Sequence, residues 1–84
     1  MLTLLFFAQI KETLGCESEV FDLTDPAMTP LDIVTQLRTR GANYAAAVAD
    51  LSRLHCAIDQ EHAKLDTPIG TARELAFFPP VTGG

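Results

Sequence analysis

Few residues in this chain of 84 carry side chains or ends capable of chemistry, and most of them lie far apart. Cys16 and Cys56 are forty positions apart, with no CxxC spacing and no Cys/His cluster that would suit zinc. Cys16 follows Gly15 in a turn and could act as a thiol or persulfide acceptor. Cys56 better suits a small gap in a core. His55 and His62 have no nucleophile fixed beside them, so a surface or edge role is expected rather than general-base work. Ser18 and Ser52 fall in no triad pattern. The last six residues, Pro79-Pro80-Val81-Thr82-Gly83-Gly84, are of another kind. The two prolines remove two backbone donors and favour polyproline II, so a strand cannot run on into this segment. Extended, it spans roughly 20 Å. Gly83 and Gly84 have no side chains, so their backbone can enter a channel that a Cβ would block. The α-carboxylate of Gly84 becomes reactive once adenylated to a mixed anhydride, and can then pass to a thiolate, an amine or a sulfide. That chemistry requires no catalytic side chain in the chain itself.

A terminal Gly-Gly alone reads most simply as a frayed end. Here it closes a longer string, with Phe77-Phe78 on a strand and a double proline before it. Something must hold that string, and the composition bounds what it is. At 9.1 kDa and 48% apolar residues, the chain is one small domain, near the lower limit for folding on a single core. It is too short for a nucleotide-binding fold plus a substrate domain, which argues against a self-contained ATP-driven enzyme. Eleven acidic residues against six basic give a charge of −5, which disfavours nucleic-acid binding. Two cysteines are fewer than a disulfide-stapled secreted domain would carry. The apolar start, Met1 to Ala8, lacks a basic region and is far below the roughly 20 residues that span a bilayer. It reads as a strand rather than a signal, and a cytoplasmic protein with no membrane association is expected.

The hydrophobic pattern predicts a strand over Leu2 to Ala8, with Leu2, Leu4 and Phe6 on one face and Leu5 and Phe7 on the other. A helical turn over Gln9 to Leu14 ends at Gly15. A second strand runs from Glu19 to Leu23, where Glu17, Glu19 and Asp22 form a solvated acidic face. Thr29-Pro30-Leu31-Asp32 starts a helix, with Thr29 as N-cap, Pro30 at the first position and Asp32 at the positive dipole end. Leu31, Val34 and Leu37 recur at helical spacing with Ile33 flanking, and Gly41 closes the helix after Arg38 and Arg40. Asn43 to Ala49 forms a short alanine-rich helix that would pack under a sheet edge. Strands follow over Leu54 to Ile58, His62 to Leu65 and Glu74 to Phe78, the first two joined by a turn at Asp59-Gln60-Glu61. One helix must cover one face of the sheet, and the strand–helix–strand crossover predicts a parallel pair later in the sheet. The expected fold is α+β, a mixed sheet of about five strands with one main helix packed on one face. Residues 1–78 make the domain and 79–84 a flexible tail.

The string Ala76 to Gly84 resembles the C-terminus of the molybdopterin synthase small-subunit family, a group of ubiquitin-like sulfur carriers. Leu5-Phe6-Phe7-Ala8-Gln9-Ile10-Lys11-Glu12 resembles the opening of the same family, and Ala57-Ile58-Asp59-Gln60 matches more loosely. The resemblance covers the whole length. It implies a β-grasp fold and a protein that is not catalytic alone but donates sulfur within a transferase complex. An adenylyltransferase/sulfurtransferase resembling ubiquitin-activating enzymes would use ATP to form a transient acyl-adenylate at Gly84 and then a thiocarboxylate, with no cofactor held permanently. The tail would enter the large synthase subunit, where sulfur passes to cyclic pyranopterin monophosphate to form molybdopterin. Gly83 and Thr82 would line that path, and the assembly would be a heterotetramer. Phe7, Phe78, Pro80 and Val81 are expected at the partner contact, with Leu5 completing an apolar patch. Rival readings are a carrier for another pathway such as thiamine biosynthesis, a ubiquitin-like modifier of lysines, and a binding module with an inert tail. The chain departs from the family pattern at Lys11 (arginine is common there), Asp59 (often asparagine), His62 (commonly apolar and part of the docking face) and the turn Gly70-Thr71-Ala72-Arg73. Those changes bear on partner affinity rather than on the sulfur chemistry.

Overall fold

Alternating apolar residues build the sheet, and a computed structural model describes residues 1–80 of it. Five strands, β1 (Leu2–Phe6), β2 (Ser18–Phe21), β3 (His55–Ile58), β4 (Glu61–Ala63) and β5 (Glu74–Phe78), lie in the order β2-β1-β5-β3-β4. Strands β1 and β5 are parallel, and the other neighbours are antiparallel. The parallel pair thus joins the first and last strands. The strands that flank the main helix, β2 and β3, are not neighbours. The helices are α1 (Ala8–Leu14), α2 (Pro30–Arg38) and α3 (Ala42–Ala47), with a 3-10 turn at Leu51–Arg53. This mixed five-stranded sheet with a long helix on one face is the expected β-grasp arrangement, extended by two short helices. Among the described residues no helix is long and apolar enough to cross a membrane.

The buried stripe of each strand meets the helical layer. Leu2, Leu4 and Phe6 of β1, Leu75 and Phe77 of β5, and Cys56 of β3 form one core with Ile33, Val34 and Leu37 of α2. Register sets Phe6 opposite Phe77 and Phe77 opposite Cys56, and the two phenylalanine rings stack at 6.5 Å. Helix α2 begins as its residues dictate. Thr29 Oγ1 accepts from the Asp32 N–H at 3.2 Å, and the Asp32 carboxylate accepts from the Thr29 N–H at 2.9 Å. This reciprocal cap satisfies two otherwise free donors and is worth about 1 kcal/mol.

Several expectations need correction. The first strand stops at Phe6, because Ala8 adopts a left-handed φ of 53° and turns the chain directly into α1. Leu31 is 38% exposed, while Pro30, Ile33, Val34 and Leu37 form the buried stripe. Those four follow the i, i+3, i+4, i+7 spacing of one helix face, and Leu31 lies about 100° away from Pro30. Gly41 does not close α2. The helix ends at Thr39 in ordinary right-handed geometry, and Gly41 caps the start of α3. Helix α3 packs on α1 and α2 rather than under a sheet edge. Arg38 secures its far end, donating to the carbonyls of Val48 at 2.7 Å and Ala49 at 3.0 Å. Glu19 does not belong to a solvated face. Its half-buried carboxylate accepts from the Tyr44 hydroxyl at 2.6 Å and pairs with Arg40, tying β2 to α3 and the loop before it.

Candidate functional site

Among the described residues no helix lies on the second face of the sheet, and alternation decides which side chains it presents. Register lines up Ser18, Leu5, Ala76, Ala57 and His62 across all five strands. The adjoining row holds Phe78 opposite His55. Most of these side chains are neither buried nor fully free, as expected for a sheet face that none of the described residues covers. Two neighbourhoods stand out on it.

Phe7 follows β1 and is 48% exposed. Its ring borders a shallow groove with Leu5, Lys11, Glu17 and Ser18. Lys11 and Glu17 form an ion pair of 3.3 Å beside it, both exposed, so the pair contributes little to stability. The Phe7 backbone N–H donates to the Phe77 carbonyl at 3.2 Å, which carries the parallel pairing one step past β1.

Phe78 has different company. Its ring stacks on His55 at 6.0 Å and meets His62 at 5.9 Å. The two imidazoles face each other, with Nδ1 of His55 and Nε2 of His62 3.3 Å apart. Phe7 and Phe78 therefore share the open face, opposite Phe6 and Phe77, and lie in two neighbourhoods rather than in one unbroken apolar patch. Pro79, the next residue, lines a groove of about 220 Å³ between α1 and α3, with Gln9, Thr13, Asp50 and Arg53 on its walls. Pro80 is half-buried. Val81, Thr82, Gly83 and Gly84 lie outside the described residues.

Asp59 governs where the last strand begins. It occupies the first of two left-handed positions in the β3–β4 turn, with φ 49° at Asp59 and 71° at Gln60. Asp and Asn tolerate that region better than most residues with a Cβ. The Asp59 carboxylate accepts from the backbone N–H groups of Arg73 and Glu74, both at 3.0 Å, and its own N–H donates to the Glu74 carbonyl at 2.9 Å. The side chain thus pins the end of the Gly70–Arg73 turn to the β3–β4 hairpin, and so sets the start of the strand that leads to Phe78 and Pro79. Asparagine would offer the same acceptor oxygen and the same tolerance of the turn.

The remaining reactive groups stay apart. Cys56 is fully buried, and burial pushes its thiol up from the ordinary value, which makes it inert. Cys16 is a half-buried free thiol. Among the described residues no cluster of three or more His, Cys, Asp or Glu side chains is placed to hold a metal. The contact between the two histidines was not foreseen. The signal was available: with two-residue turn Asp59-Gln60, Ala57 pairs with His62, so His55 and His62 must share a face one step off the direct pairing.

Comparison with known proteins bears on the whole chain. The family model described as ThiS family matches residues 4–84. The chain is 37% identical to the molybdopterin synthase sulfur carrier subunit of Haemophilus influenzae and 33% identical to that of Escherichia coli, each over the full length of both chains. Among solved structures it superposes on SAMP1 from Haloferax volcanii with a TM-score of 0.71 at 24% identity, covering 99% of this chain and 98% of that one. The Haloferax volcanii HVO 2177 protein gives 0.73 at 22% identity, with 99% and 85% covered. At these identities the structural likeness shows the ubiquitin-like β-grasp fold.

Proposed function

Because the chain belongs to the ThiS family, we propose that it is the sulfur-carrier subunit of a molybdopterin synthase. The observation that carries this reading is the full-length match to two sulfur carrier subunits. The string Phe77 to Gly84, which begins within the last strand of a small domain, supports it.

In this reading a partner adenylyltransferase uses ATP to convert the Gly84 carboxylate to an acyl-adenylate, releasing pyrophosphate. A sulfur donor displaces AMP and leaves a thiocarboxylate. The tail then enters the large synthase subunit, where the sulfur passes to cyclic pyranopterin monophosphate and Gly84 returns to a carboxylate. Thr82 and Gly83 line the route, and the glycine needs no Cβ to be accommodated there. Phe7, Phe78, Pro80 and Val81 contact the large subunit, in a heterotetramer with two copies of each chain. The sheet face supports that docking role, since the half-exposed Phe7 ring still has apolar area to bury against a partner.

The test is intact-mass measurement after incubation with the cognate activating enzyme, ATP and a sulfur donor. The expected result is an oxygen-to-sulfur exchange localised to Gly84 and lost when Gly84 is deleted. No exchange with the wild-type chain refutes the reading, as do lysine conjugates bearing a Gly-Gly remnant in the absence of any thiocarboxylate.

A further inference from the structure

We propose that His55 and His62 form a bidentate site for a transition-metal dication, with Zn²⁺ as the ion to test. Imidazole nitrogens bind zinc at about 2.0–2.1 Å, so two of them on one tetrahedral ion stand about 3.3–3.4 Å apart. Nδ1 of His55 and Nε2 of His62 are 3.3 Å apart. Chelation requires that the two rings turn until their lone pairs converge on a shared ion while keeping about this separation. The rings sit on opposite strands of a two-residue hairpin, at 5.5 Å between centroids, and Phe78 flanks both. That ring limits the rotamers the imidazoles can reach and leaves less entropy to lose on binding.

The proton count is balanced. In the pair of neutral rings, one facing nitrogen carries a hydrogen and donates to the other. Metal binding needs both facing nitrogens bare, with each ring's proton on its outer nitrogen. One ring changes tautomer through water, and two neutral imidazoles lose no net proton. An imidazolium must release its proton first, so acid competes with the metal. No third carboxylate, thiol or imidazole among the described residues completes the set, so water fills the other positions and the ion exchanges readily. Glu61 pairs with Ile58 and so alternates to the face opposite His62, while Lys64, two residues on, brings a cation to that end of the hairpin.

The site is on the open face beside Phe78, next to the start of the tail. If the docking reading above holds, an ion there would occupy part of the same surface. The metal proposal itself does not rest on that reading.

The experiment is calorimetric titration of the full chain with Zn²⁺ in a non-chelating buffer, followed by NMR of the imidazole resonances. One ion per chain is expected, with shifts centred on both histidine rings and affinity falling as the solution is acidified. His62→Gln, at an exposed edge position, should weaken binding at least about tenfold, the low end of what even outer-sphere losses cost at metal sites. His55→Gln should do the same, and Cys16→Ser should leave binding unchanged. Backbone spectra of the variants verify their folding. Absence of ring shifts at millimolar Zn²⁺ overturns the proposal, as does undiminished binding by His62→Gln or loss of binding in Cys16→Ser.

Discussion

Replacing Asp59 separates two forces that act on one residue. Its carboxylate accepts two backbone hydrogen bonds at 3.0 Å, and its backbone is held at φ 49°. Because the side chain is exposed, water compensates for part of the loss, and each bond contributes about 1 kcal/mol. A left-handed conformation costs alanine about 1–2 kcal/mol more. Asp59→Ala is therefore expected to lose about 3–4 kcal/mol. Asp59→Gly loses the same two bonds but relieves the backbone. Glycine's extra unfolded-state freedom, roughly 0.5–1 kcal/mol, offsets part of that relief. It should come out about 0.5–1 kcal/mol better than alanine. Asp59→Asn keeps the acceptor oxygen and the turn tolerance, and should cost less than about 1 kcal/mol. For a domain of this size each kcal/mol moves the thermal midpoint by about 4–8 °C, so Asp59→Ala, at the lower figure, should lower it by about 12–24 °C. Calorimetry or circular dichroism melts of the four proteins give the order Asp, Asn, Gly, Ala. If asparagine is as damaging as alanine, the bonds to Arg73 and Glu74 do not hold the turn. If glycine is no better than alanine, the left-handed strain is absent.

Phe6, the last residue of β1, and Phe7, which follows it, should behave oppositely. Phe77→Ala or Phe6→Ala removes a fully buried ring and costs about 3–5 kcal/mol, a large part of the stability of a small domain. Phe7→Ala, at a half-exposed ring, should leave the melt within about 1 kcal/mol of wild type while weakening capture of the large subunit, and a normal affinity would remove Phe7 from the interface. Alkaline pH should destabilise the fold. Burial raises the Cys56 thiol, and the hydrogen bond to Glu19, with burial, raises the Tyr44 phenol. Both groups stay protonated longer in the native state than in the unfolded chain. Their contribution is complete below the ordinary values and is lost as pH climbs through the raised ones. Melts compared at neutral and strongly alkaline pH should show the decline, and Cys56→Ala with Tyr44→Phe should reduce it. In the native protein Cys16 should alkylate before Cys56, and equal rates would contradict the burial of Cys56.

Local signals in the sequence were reliable where the physics is local. Glu74–Phe78 appears with its predicted bounds, because Leu75 and Phe77 alternate with Glu74 and Ala76 and the double proline after Phe78 stops the strand. The start of α2 follows from Thr29, Pro30 and Asp32, whose roles depend only on residues three positions away. Readings that needed a neighbour from another element were less secure. Leu31 looked like core until the buried face of α2 proved to be centred on Pro30, Ile33, Val34 and Leu37. Glu19 looked solvated because nothing nearby in sequence indicates Arg40 and Tyr44. His55 and His62 were read singly, although the turn between them brings their nitrogens together.

The sequence alone determined the α+β class, the main helix and its cap, and the apolar stripes of the strands. Those depend on residue type, on spacings of two to four residues and on the order of atoms along the chain. The tertiary structure decided that the first and last strands lie side by side and parallel. With them came the uncovered face that holds Phe7 and Phe78 apart, the hold of Asp59 on the Gly70–Arg73 turn, and the meeting of the two imidazoles. Each of these is a contact between residues distant in sequence or across a hairpin. Such contacts form when the chain closes its loops to bury one common core, and no short stretch of sequence contains that condition.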